Sequence, residues 1–166
     1  MGTNIIEILN NSQRTILEKW IENQSSVVSF NDDLLSSEDI REQSSELLSA
    51  FLKNLSEENI GNGDAPEFDE VVEALSDLSI TRAKLGFSPK ETGMFVIGMK
   101  NAIMDVLDSL LSAQPAELYA VSKKLNSLFD SFSIVTFETF IRGREEVIIR
   151  QTDEISEIST PVIRVW

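Results

Sequence analysis

The chain contains no cysteine and no histidine in 166 residues. Without cysteine there is no disulfide, no thiolate metal ligand and no thiol nucleophile, and the composition fits a reducing compartment. Without histidine the chain lacks the commonest general base, the commonest transition-metal ligand and the usual axial ligand of haem. Seven glycines and four prolines leave little room for a turn-rich β fold. No apolar run reaches the roughly 18 residues that would span a bilayer. The start, Met1-Gly2-Thr3-Asn4, lacks the basic and apolar stretches of a secretory signal. A cytoplasmic protein without membrane contact is expected.

What is present is apolar, acidic and helical. Hydrophobic residues make up 42% and charged residues 25%, with a formal net charge of −14. That balance suits a single globular domain with a sizeable core. Such a charge repels nucleic acid and anionic lipid, so neither is expected as a partner. Arg142, Arg144, Arg150 and Arg164 cluster near the end, which leaves the first two-thirds the more acidic part.

Helical periodicity accounts for most of the chain. Thr3 or Asn4 caps a first helix expected to run to about Asn23. Ser36-Ser37-Glu38-Asp39 opens a second, with hydroxyl and then acid at the positive end of the dipole. Asn59-Ile60-Gly61-Asn62-Gly63-Asp64 reads as a surface turn, without the spacing or closing glutamate of a calcium loop. Pro66, behind Asp64 as cap, starts a third helix that ends at Gly86. Ser88-Pro89-Lys90-Glu91 is a capping box, opening a helix to about Ala113 that is apolar on most sides and is expected to be central. Gly93 and Gly98 would let neighbours approach it closely. Met94, Phe95 and Met99 are its candidate pocket wall, with plain core packing as the simpler reading. Phe30 is expected to plug the core from a loop.

From Pro115 the pattern runs unbroken to Ile158, about 65 Å of helix at ~1.5 Å per residue. Ile134, Ile141, Ile148 and Ile155 recur every seventh residue. Their companions are Phe137, Arg144, Gln151 and Ile158. A β-branched column at position a is what a parallel two-stranded coiled coil favours, and polar Arg144 and Gln151 at d weaken it. Ile134, Phe137, Ile141, Ile148, Ile155 and Ile158 are therefore the candidate dimer and signal-helix residues. Pro161 is expected to end the helix, and Val162 to Trp166 to start a strand.

No catalytic, cofactor or metal constellation stands out. The acidic pairs Glu57-Glu58, Asp69-Glu70 and Glu145-Glu146 sit on solvent faces, and Gly61-Asn62-Gly63 lacks the strand and lysine of a phosphate loop. By elimination, the chain is expected not to be an enzyme.

The run Ser159-Thr160-Pro161-Val162-Ile163-Arg164-Val165-Trp166, with Glu154 to Ile158 before it, resembles the junction between linker helix and STAS domain in RsbR-type proteins of the bacterial stressosome. The upstream part is similar to that family's N-terminal domain in length, in its Ser-Pro helix start and in its long exit helix. The resemblance implies a globin-like, haem-free, all-α sensor bundle forming a parallel homodimer with a projecting C-terminal helix. It divides the chain into a sensor domain (1–136), a linker or coiled-coil helix (137–159) and the start of a STAS domain (160–166). It also implies relay of a stress signal to that STAS domain, which in the family assembles with RsbS-like scaffolds and controls an RsbT-like kinase. Two other readings fit the composition: a small-molecule-binding globin relative, with Tyr119 as a candidate haem ligand, and an acidic helical adaptor for a basic partner.

Overall fold

A computed structural model describes residues 4–28 and 35–165, without the side chains of 26–28 and 159–165. Six α-helices and one 3-10 turn make up the described residues, with no strand among them. The expectation for Phe30 lies outside this range. The chain is an all-α bundle with a long C-terminal helix, as expected.

The stretch read as one N-terminal helix is two. Asn4 caps α1 (Ile5–Asn11) by accepting from the Glu7 N–H at 3.1 Å. At Ser12 the backbone leaves the helical region, and α2 (Gln13–Val28) restarts. Asn10-Asn11-Ser12-Gln13 is a run of polar side chains that compete for backbone groups, and the Asn10 amide donates to the Ile6 carbonyl at 2.9 Å. α2 then buries Ile16, Trp20 and Gln24.

The next two starts differ in how they are capped. Ser36 caps α3 (Ser37–Asn54) through the Asp39 N–H at 3.1 Å. The following turn is more interior than its sequence implies. Asn59, Ile60 and Ala65 are buried, because Asn59 ties up the backbone by accepting from Ser56 N–H and donating to the Asn54 carbonyl, both at 2.8 Å. Ile60 is thereby free to point inward. A methyl at Gly63 would overlap the Ser131 side chain on the last helix. Pro66–Phe68 form the 3-10 turn, and α4 (Asp69–Leu85) follows. Ala65 rather than Asp64 occupies the cap position, without a side-chain bond. The Asp64 N–H instead donates to Asn62 Oδ1 within the turn.

Gly86, at φ 93°, ends α4 in the left-handed conformation that glycine adopts at least cost. The expected capping box is formed: Glu91 N–H donates to Ser88 Oγ at 3.1 Å and Ser88 N–H to Glu91 Oε1 at 2.9 Å. It opens α5 (Pro89–Leu110), the central helix, which packs against α2 and the last helix. Gly98 sits under the Trp20 indole, whose N–H donates to the Phe95 carbonyl at 2.8 Å.

α6 (Pro115–Val165) has 51 residues, about 75 Å at 1.5 Å per residue. It passes through Pro161, where a strand was expected. Proline removes one helical hydrogen bond and can kink a helix without ending it, and here the helix continues to Val165. A five-residue strand also needs a sheet to pair with, and the described residues offer none.

The core closes on four rings. Phe132 on α6 meets Phe51, Phe68 and Phe129 edge-on, with centroids 5.5–6.1 Å apart. This cluster joins α3, the 3-10 turn and α6. Phe132→Ala should cost about 3–5 kcal/mol, read as a lower urea midpoint at an unchanged denaturant slope.

Candidate functional site

α6 carries two seams on one cylinder. Leu125, Leu128, Phe129, Phe132, Thr136, Thr139, Phe140 and Gly143 are buried against the bundle. At ~100° per residue these centre on one side of the helix. Ile134, Phe137, Ile141 and Ile148 centre roughly 150° away around the axis. Together with Ile155 and Ile158 they are 46–72% exposed. All six residues expected at a dimer or signal face therefore lie along one continuous helix, uncovered in the single chain. Ile149 is exposed beside them, as are Arg144 and Gln151 at the polar d positions.

The two seams overlap. Burial continues past residue 136 to Gly143, while the outer stripe has already begun at Ile134. A helix buries only part of its circumference against one neighbour, so a second face is available without the first ending. Phe137 also touches the bundle. Its ring lies 3.6–3.7 Å from where a Cβ on Gly93 of α5 would stand.

A close approach of backbone to backbone lies at Gly143, which the sequence reading missed. A Cβ there would lie 2.9 Å from Ala83 Cβ and 3.1 Å from both the Cα and the carbonyl oxygen of Ile80 on α4. One turn on, the Lys84 ammonium pairs with the Glu146 carboxylate at 2.9 Å and holds that carboxyl below its ordinary pKa. The available signal was a glycine inside a helical run, between Arg142 and Arg144.

Met94, Phe95 and Met99 lie within the bundle, Phe95 and Met99 buried and Met94 half-buried. Three surface grooves are lined by other residues. One of about 260 Å³ lies among Ile5, Ile60, Val121 and Lys124; one of about 330 Å³ lies between α3 and α4 over Leu47 and Leu78; one of about 180 Å³ lies beside Leu110. Tyr119 is exposed, so its phenol faces solvent rather than a haem-sized interior.

Arg82 is 2% exposed, with its guanidinium carbon 4.3 Å from the Phe95 ring centre and 5.2 Å from that of Phe87. Its Nε and Nη1 have no acceptor. Burial pushes its pKa down to about 10, against the opposing pull of Glu91. A folded-state pKa below the unfolded value means that the charge costs stability below pH 10. The cost fades as pH rises above about 10 towards the unfolded value. By linkage it is on the order of 3 kcal/mol, before cation–π attraction offsets part of it. Arg82→Met should therefore unfold at an equal or higher urea concentration at pH 8. Its advantage over the unaltered chain should shrink between pH 8 and pH 11, and a constant gap would show that the charge is not the cause.

Together these features define an all-α domain whose last helix is partly core and partly bare. The family model for the N-terminal domain of the RsbT co-antagonist protein rsbRD matches residues 14–155. The chain belongs to that family, and is by that membership a stressosome RsbR-like regulatory N-terminal domain. The matched range takes in both seams of α6 down to Ile155. No curated protein and no solved structure matches the chain. Among the described residues no helix is long and apolar enough to cross a membrane.

Proposed function

We propose that this domain is a non-enzymatic, cytoplasmic sensor of globin-like, haem-free type. It forms a parallel homodimer through the outer stripe of α6 and relays a stress signal along the paired helices to a STAS domain that begins near Thr160. Residues 1–136 form the sensing bundle and 137–159 the output helix, with 134–143 serving both. In this reading the STAS domain binds an RsbS-like scaffold and governs an RsbT-like kinase. Family membership supports the stressosome setting.

The observation that carries the reading is the stripe itself. Six large apolar side chains at heptad spacing are left in water along one helix. Burying an isoleucine contributes roughly 1.5–3 kcal/mol, enough over several pairs to hold two helices together. Arg144 and Gln151 at d keep the seam marginal, and a marginal seam is one whose geometry a modest energy difference can change.

Light scattering at micromolar concentration should give twice the chain mass of 18.6 kDa, and a monomer would end this proposal. Ile148→Lys removes one isoleucine from each protomer. It should weaken the dimer roughly 100-fold to 10,000-fold while leaving the helical content of the bundle unchanged. Added haem should give no sharp stoichiometric absorption band, and such a band would favour the haem-binding alternative.

A further inference from the structure

Between Ile134 and Gly143 every turn of α6 is held on one side and bare on the other. Beyond Gly143 the bundle lets go. From residue 144 to residue 158 Val147 alone is half-buried, and the rest are exposed. Gly143 is thus the last buried position of the inner seam, with the Lys84–Glu146 pair and half-buried Val147 just beyond it.

The nature of that contact matters. Along much of α6 the seam is made of side chains such as Phe132 and Phe140, which can shift rotamer and absorb a small displacement. At Gly143 backbone meets backbone: the neighbours are Ile80 Cα, the Ile80 carbonyl oxygen and the single methyl of Ala83. None of these has a rotamer to change, so movement of α4 here passes to α6 undamped. The pair Lys84–Glu146 holds the next turn from the same side. The far end of this grip is Arg82, Gly86 and Phe87, the corner where a buried cation without acceptors on Nε and Nη1 joins α4 to α5.

We propose that the last turns of α4, Ile80 to Lys84, fix the rotational setting of the output helix through Gly143. A packing change that moves these turns then rotates the whole stripe beyond the crossing. The proposal rests on the paired-helix reading above. Ile80, Ala83, Lys84 and Gly143 are positioning residues, acting on the dimer seam through the α6 backbone rather than by touching it.

The absence of cysteine makes the test clean. Arg150→Cys, Gln151→Cys and Thr152→Cys are introduced singly in the full chain, and the yield of disulfide-linked dimer is measured after mild oxidation. In the otherwise unaltered chain Gln151→Cys, at a d position, should link best. Adding Gly143→Ala should lower that yield at least threefold and raise it at residue 150 or 152. Ala83→Gly, which removes the facing methyl, should also move the maximum, and supplies the reading if Gly143→Ala does not fold. Glu154→Ala, exposed and beyond the crossing, should leave the pattern alone. Light scattering and circular dichroism accompany each variant. An intact dimer whose pattern is unmoved by both substitutions at the crossing overturns this inference alone, as does an equal shift with Glu154→Ala. A chain that is monomeric before any substitution brings down the paired-helix reading, and this inference with it.

Discussion

A helix cannot hide its whole circumference against neighbours on one side, and α6 is where this chain meets that constraint. Its inner face supplies Phe129 and Phe132 to the aromatic cluster that closes the core on α3 and the 3-10 turn. It is also the main packing partner of α4. The bundle therefore depends on α6 for its interior, and α6 depends on the bundle for its orientation. The outer face then has apolar side chains that the described residues leave uncovered. Bundle core and projecting helix share one set of backbone hydrogen bonds, with no loop between them to absorb a disturbance.

Electrostatics divides along the same line. The acidic excess lies on α3, the following turn and α4, where exposed carboxylates stay hydrated and contribute mainly solubility. Their exposed pairs, such as Arg41 with Glu18 at 2.6 Å, add little to stability. Arg82, the one deeply buried charge among the described residues, sits at the α4–α5 corner close to the α6 crossing. A fold selected only for depth of its energy minimum would fill that position with an apolar side chain. Keeping a cation there, with no acceptor for Nε or Nη1, leaves the corner less stable than it could be. That is the property expected of an element that has to move.

Features governed by neighbours in sequence were legible, and features governed by distant neighbours were not. Ser88 with Glu91, Ser36 with Asp39, and Gly86 at positive φ are each closed by bonds spanning a few residues, so their spacing announced them. The outer stripe was legible for the same reason: a seven-residue period needs only the chain itself. The break at Ser12 was hidden because Ile8, Leu9 and Ile16 keep an apolar face across it. The burial of Asn59 and Ile60 depends on one asparagine satisfying backbone groups five residues away, which composition does not reveal. Gly143 looks like any helix-weakening glycine until Ile80 and Ala83 are brought against it from sixty residues earlier.

The bare part of α6 also has a mechanical consequence. From Arg144 to Ile158 the helix runs about 22 Å beyond Gly143, its last buried residue among those described, at ~1.5 Å per residue. A tilt of about 5° at Gly143, well inside the ±15–20° scatter of helix crossings, would carry Ile158 about 2 Å sideways. A movement at α4 smaller than a bond length is thereby enlarged at the tip to the width of an atom, with the sense of the motion set by which side of the glycine is pressed.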